Sequence, residues 1–243
     1  MPDLTVIALA GLIVTAGALV QGGAGFGLGL TAAPMLTILD PSLMPGALLV
    51  PAGLLPLLSF AHEASHTDWP GLSWALAGRI GGTLAGAAIV VALPVRALGA
   101  VVGGVVGGVV LGVVAISVLK IKIAKNPGPL VSAGFVSGAA ATSTAIGGPP
   151  IALVYQRDSG PQIRATLAVF FCAGSVISLA ALAAAGHLPG HAVAAGAGLI
   201  PFVAVGFALS GPFRRYLDNG RMRAAVLALA AASALVLIVH NML

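Results

Sequence analysis

"SGAAATSTAIGGPPIALVY", Ser137 to Tyr155, gathers hydroxyls, paired glycines and paired prolines inside a chain that is otherwise mostly Ala, Val, Leu and Gly. Gly147 and Gly148 let a backbone turn sharply and approach a neighbour closely. Pro149 and Pro150 suit the first turn of a helix, where a missing N–H costs nothing. The stretch therefore reads as one helix ending and another beginning. In hydrocarbon such a break is tolerated only where it is buried in protein or lines a cavity, because every backbone polar group needs a partner within the protein. The apolar segment before it, Leu130 to Ala141, is about 12 residues long. As helix it reaches roughly 18 Å, short of a hydrocarbon core of roughly 30 Å. The expectation is a helix that stops near the midplane. Thr142, Ser143 and Thr144 would then cap free helix ends or donate hydrogen bonds to an anion.

Composition supplies the solvent. With 59% hydrophobic residues, 7% charged residues and a mean hydropathy of +1.10, there is too little polar surface to cover a water-soluble particle. The lipid bilayer is the expected surrounding. The apolar runs have the length of membrane helices, not of alternating barrel strands, so the expected fold class is an all-α polytopic membrane protein, a helix bundle. Met1 to Thr5 carries Asp3 and no basic residue, which argues against a cleaved signal peptide. The single Cys172 excludes an intramolecular disulfide. The net charge of +5 is spread between apolar segments and forms no single basic face, so no nucleic-acid partner is expected.

Outward from the quoted stretch, apolar segments fall at about Leu4 to Val20, Phe26 to Leu39, Leu43 to Ala61, Leu72 to Leu93 and Val95 to Leu119. A second set follows at about Leu130 to Ala141, Pro149 to Tyr155, Ile163 to Ala185, Ala192 to Phe213 and Met222 to Val239. Placing "VQGGAGFGLGLTAAPML" over "VSGAAATSTAIGGPPIA" aligns Val20 with Val136, Gly22 with Gly138 and Pro34 with Pro150, and the same offset carries Pro45 onto Pro161. The chain reads as one transmembrane domain over 1–243 containing an internal duplication, about 4–119 and 130–241. Lys120, Lys122, Lys125, Arg157, Arg164, Arg214, Arg215, Arg221 and Arg223, nine of the eleven basic residues, fall on one side of this scheme, which marks it as cytoplasmic. An inner-membrane, multi-pass protein with both termini external is expected. Its two repeats have inverted topology, each with a broken or re-entrant hairpin, an arrangement of secondary transporters whose sites lie where the halves meet.

The tip matching the quoted stretch is Gly22, Gly23, Ala24, Gly25 and Phe26. Two hairpins entering from opposite faces bring the tips together, so the candidate substrate-binding residues are Gly22, Gly23, Gly25 and Phe26 with Ser137, Gly138, Thr142, Ser143, Thr144, Gly147, Gly148 and Pro149. Gly103, Gly104, Gly107, Gly108 and Gly112 have the small-residue spacing of close helix packing instead. Arg79 joins the site list. If its helix begins near Pro70 it lies roughly 13 Å deep, beyond easy snorkelling, and a buried arginine in a membrane faces a cavity or a partner. Arg164, Tyr155 and Gln156 are placed at the cytoplasmic mouth as gating residues.

These residues carry a resemblance. "GGAGFGLGLTAAPML", "SGAAATSTAIGGPPIALVY" and "IRATLAVFF" at Ile163 to Phe171 resemble the TauE/SafE, or sulfite exporter, family of membrane transporters. The resemblance implies a duplicated helical transporter for small anions such as sulfite, sulfonates or other sulfur-containing organic acids. The chain departs from the commoner glycine-rich first motif in having Gln21 before the glycines and Ala24 among them.

"HEASH", His62 to His66, offers another reading, because H-E-x-x-H on a helix can bind zinc with the glutamate as general base. An intramembrane metalloprotease with Asp218 as a third ligand would follow. It leaves the duplication and the charge pattern unexplained, and the motif runs straight into Thr67, Asp68, Trp69 and Pro70, which reads as an interfacial loop. Gly23, Gly25 and Gly27 have no preceding strand to make them a nucleotide loop. The reading carried forward is a transporter, not an enzyme, with no cofactor or metal and a small anionic substrate. It works by alternating access. No ATP-binding motif is visible, so transport is secondary. An interior-negative potential favours anion exit by about 2.3 kcal/mol per charge per 100 mV, which suits export. Nothing in the sequence sets an oligomeric state.

Overall fold

The computed structural model describes residues 4–93 and 124–219, and beyond them positions 221, 224, 225, 228 and 232. Among the described residues all regular structure is helical. The first set comprises α1 (Leu4–Ala24), α2 (Leu28–Leu39), α3 (Gly46–Glu63) and α4 (Trp69–Ala92). The second comprises α5 (Pro127–Thr144), α6 (Gly148–Tyr155), α7 (Gly160–Ala184), α8 (Gly190–Gly198), α9 (Ile200–Leu209) and α10 (Gly211–Asp218). Among the described residues four stretches are long and apolar enough to cross a membrane: Gly46–His66, Trp69–Ala92, Gly160–Ala184 and Gly190–Leu209. The segment expected at Val95 to Leu119 and most of the one at Met222 to Val239 lie outside the described residues, as do Arg96, Lys120, Lys122, Arg223 and the glycines from Gly103 to Gly112.

The bundle has the burial pattern of lipid-solvated helices. Leu12, Leu54, Leu84, Trp74 and Val176 face outward, while Thr83, Ser137, Thr142 and Ser178 are buried. With lipid as apolar as leucine, helices associate through close packing of small residues and through hydrogen bonds between polar ones. The α4–α5 contact shows how. Gly78, Gly82 and Gly86 of α4, one turn apart, press on the backbone at Val131, Phe135 and Ala139, and Gly134 of α5 presses back on Ala75.

Further contacts join α3 to α7, α1 to α9, α4 to α7 and α3 to α8. Exchanging the two sets of helices maps these contacts onto one another. The α1–α9 pair becomes the α5–α4 pair, α3–α8 becomes α7–α4, and α3–α7 maps onto itself.

Each set opens with a hairpin whose arms are separated by three non-helical residues, Gly25-Phe26-Gly27 in one and Ala145-Ile146-Gly147 in the other. By backbone state the two breaks are 120 residues apart, one helical turn more than the 116 of the sequence alignment. The short first arm expected in the second hairpin is corrected. α5 has 18 residues and α1 has 21, roughly 27 and 32 Å of helix, long enough to carry the chain most or all of the way across. The hydroxyls do not cap the end of α5. Thr142, Ser143 and Thr144 donate to the carbonyls of Gly138, Ala139 and Ala140 four residues back, at 2.7–2.8 Å, so they continue the helix where capping was expected.

Candidate substrate site

Helix α5 ends on Ala145, whose φ of 61° is left-handed, and α1 ends on Gly25 with φ of 87°. Glycine accepts that backbone without strain. Alanine costs about 1–2 kcal/mol there, so its surroundings hold it in place. Each break is strapped. In the first, the Gln21 side-chain oxygen accepts the Leu28 N–H at 3.1 Å, doing for α2 what its N-cap Gly27 cannot. In the second, the Ser137 hydroxyl donates to the Gly147 carbonyl. The strapped tips meet. A Cβ on Gly29 would overlap the Ala145 carbonyl oxygen, and one on Gly148 would come within 2.8 Å of the Phe26 ring.

A small, partly open cavity lies against this junction. Its wall includes Gly27 and Gly29 from the start of α2 and Gly147 and Gly148 from the start of α6, so the first turns of two helices border it. Helix starts carry unpaired N–H groups and partial positive charge. Arg79 completes the wall. It sits ten residues into α4, roughly 15 Å from that helix's first turn, and is 1% exposed. Its Nη1 reaches the Ser137 hydroxyl at 3.4 Å, a long contact, and its guanidinium carbon lies 4.9 Å from the centroid of the Phe170 ring. The Nε has no hydrogen-bond partner among the described residues. Gly174 of α7 makes room, since a Cβ there would overlap the guanidinium. A buried cation with donors to spare, beside two helix starts, is chemically equipped to hold an anion.

Of the residues singled out in the sequence, Phe26, Gly147, Gly148 and Arg79 line this cavity, and Ser137 supports it from behind. The others point elsewhere. Gly22 packs on Ser210, Gly23 on Phe213 and Gly25 on the backbone of Arg164, while Gly138 is a close-packing glycine against the Arg79 carbonyl. Thr142 pairs with Ser178 at 2.8 Å, Ser143 and Thr144 are bonded along their own helix, and Pro149 is buried in the first turn of α6. Gln21, Gly29, Phe171 and Ser175 line the cavity and were not selected. Gln21 is the one polar amide of α1, and that was the available signal.

The residues expected at an open mouth are enclosed. Tyr155 is 0% exposed, Gln156 4% and Arg164 1%. Arg164 donates to both Glu63 oxygens at 2.6–3.0 Å, to both Asp218 oxygens at 2.8 and 3.0 Å, and to the Gly23 carbonyl at 3.3 Å. It thereby ties α7, the end of α3, α10 and the first tip together. Arg214 adds a hydrogen bond to the Gly22 carbonyl at 2.7 Å. Nearby, Lys125 pairs with Asp158 at 2.7 Å and Asp68 at 3.2 Å and lies 5.0 Å from the centroid of the Tyr155 ring. Partial burial pulls the Lys125 pKa down, but the hydrogen bond and charge of Asp158, then those of Asp68, outweigh it and hold the ammonium above its usual range. Glu63 and Asp68 flank the one Ala64–His66 turn, so both networks lie at the same end of the bundle.

This geometry removes the support for a zinc protease. Glu63, which would be the base, and Asp218, which would be the third ligand, are both held by Arg164. α3 ends at Glu63 and the chain continues as a 3₁₀ turn, so His62 and His66 do not share one helix face. His62 instead contacts the Leu58 carbonyl at 2.8 Å and His66 the Ser65 hydroxyl at 3.3 Å. Among the described residues no three His, Cys, Asp or Glu side chains converge to hold a metal ion.

Comparison with known proteins identifies a family. The family model described as sulfite exporter TauE/SafE covers residues 8–237, nearly the whole chain and both hairpins. No curated protein and no solved structure shows significant similarity. With an all-helical bundle and a match of this extent, the chain belongs to the sulfite exporter TauE/SafE family, whose members are membrane transporters and not enzymes.

Proposed function

We propose that this chain is a secondary transporter that exports a small sulfur oxoanion, sulfite or a short sulfonate, by alternating access around the cavity between the two hairpin tips. The observation that carries the reading is Arg79: a fully buried guanidinium with an unpartnered Nε, bordering a cavity at the starts of α2 and α6. A charge kept at such expense in a membrane needs a counter-charge, and among the described residues no carboxylate supplies one. A visiting anion does.

The exchange symmetry of the helix contacts supports the inverted duplication as the two-part machine that rocks around this site. Support for an inward-sealed conformation comes from the burial of Tyr155, Gln156 and Arg164 at the basic end of the bundle. The Arg164 network would then be the inner gate, broken when the site opens to the cytoplasm.

Flux in proteoliposomes tests this directly. Sulfite and short monoanionic sulfonates are compared with carboxylates of similar size, in the wild type and in Arg79→Gln. Sulfur oxoanions are expected to move faster, and Arg79→Gln to abolish the difference. Equal fluxes for all anions, or an Arg79→Gln variant with wild-type flux, would sink the proposal.

A further inference from the structure

Arg79 is the one charged side chain among the described residues that line the cavity. Lys125 and Arg164, which could otherwise add positive charge, are neutralised by their own carboxylates at the end of the bundle. The helix starts contribute less than two helix starts ordinarily would. In α2 the Leu28 N–H is already given to Gln21, and in α6 Pro149 and Pro150 have no N–H to offer. Beside the guanidinium the wall is mixed: the Gln21 amide and the Ser175 hydroxyl are polar, whereas Phe26, Leu49 and Phe171 are apolar.

Taking the cavity to be the substrate site, as proposed above, we infer that it is matched to a singly charged anion with a small apolar substituent, an alkanesulfonate for instance, and discriminates against dianions. One guanidinium balances one negative charge. A second charge in the same enclosure lacks a partner, and an uncompensated buried charge is strongly disfavoured. The Arg79 guanidinium on the cavity wall supplies the positive charge for a sulfonate head, and the Phe26, Leu49 and Phe171 surfaces offer a hydrocarbon group the contacts that a fourth charged oxygen would forfeit. By the same reasoning sulfite is taken as its protonated monoanion, bisulfite.

Methanesulfonate and sulfate share a tetrahedral frame and differ by a methyl group in place of a charged oxygen, so they test the charge and the apolar substituent together. Their dissociation constants are measured by titration calorimetry on the full chain in detergent at one pH, for the wild type and Arg79→Gln. The expected result is methanesulfonate at least about tenfold tighter than sulfate in the wild type, with both weakened in Arg79→Gln and sulfate by the larger factor, since each substrate charge feels the missing guanidinium. Sulfate binding as tightly as methanesulfonate, with both lost in Arg79→Gln, overturns the charge match while leaving the site standing. A sulfate loss in Arg79→Gln no greater than the methanesulfonate loss overturns it too, because the guanidinium then does not balance the substrate charge. If neither anion binds the wild type, the site itself falls and this inference with it.

Discussion

Gly29 and Ala145 meet backbone to backbone, and no side chain fits between them: a Cβ on Gly29 would overlap the Ala145 carbonyl oxygen. The obstruction is main chain, which cannot swing aside as a flexible side chain can. Gly29→Ala is therefore expected to part the two tips and destabilise the protein by about 1–3 kcal/mol. The same substitution at Gly128, where nothing lies within 4 Å, is the control. Thermal unfolding in detergent, read beside sulfite flux, should show a lowered midpoint and reduced flux for Gly29→Ala and neither effect for Gly128→Ala. An unaltered Gly29→Ala variant would mean that the tips do not need this contact.

Gly148 differs from Gly29 in what it faces. A Cβ there meets the ring of Phe26, which can move, and its movement would fill the cavity. Gly148→Ala is expected to insert and to unfold within about 1 kcal/mol of the wild type, as surface-like or accommodated changes do, yet to lose most of its flux. A parallel loss of stability and flux would reduce Gly148 to a packing residue.

Arg164 holds two carboxylates of unequal burial: the Glu63 side chain is 13% exposed and that of Asp218 is 35% exposed. Removing one partner of a buried pair costs about 3–5 kcal/mol, whereas an exposed pair contributes about 1 kcal/mol or less. Glu63→Gln should accordingly lower the unfolding midpoint far more than Asp218→Asn. Equal effects would place both carboxylates in solvent. Zinc should protect neither the wild type nor the variants from unfolding.

The membrane class, the helical breaks and the meeting of two tips were legible in the sequence, because glycine and proline leave a local signature that composition cannot hide. Arg79 was legible for a similar reason, as a lone charge inside an apolar run. The side-chain directions were not. Thr142, Ser143 and Thr144 look like anion donors until their carbonyl partners one turn back are known. Nor does anything local to Arg164 announce Glu63 and Asp218, which lie 101 and 54 residues away in the chain. The alignment that placed Pro34 over Pro150 matched prolines, while the backbone matches Gly25 to Ala145, a pairing that no residue-by-residue comparison favours.

Sidedness can be read chemically. In a Cys172→Ser background, a cysteine at Arg157 lies beside Asp158 and the Lys125 network, and one at Gly190 lies at the start of α8, after the full length of α7. Both positions are exposed. Impermeant maleimide is expected to reach position 157 from the cytoplasm only and position 190 from outside only. Labelling of both from one face would break the inverted arrangement.

Arg79 and Gly174 provide the sharpest test of the site, because the glycine leaves the space that the guanidinium fills. Gly174→Ala would push the guanidinium off the cavity wall without altering its charge, so methanesulfonate affinity should fall. Arg79→Lys keeps the charge but replaces the planar fork with a compact ammonium on a flexible stem, so affinity should weaken without vanishing. Once the fork is gone, alanine at position 174 has less to displace. The double variant Gly174→Ala with Arg79→Lys is therefore expected to bind better than the sum of the two losses predicts, with a coupling of about 0.5–3 kcal/mol, the range for residues in contact. Measuring unfolding on the same four proteins separates site from scaffold: coupling in affinity without matching coupling in stability ties the pair to the anion. Strict additivity in affinity would show that the Arg79 position does not govern binding and would remove it from the site.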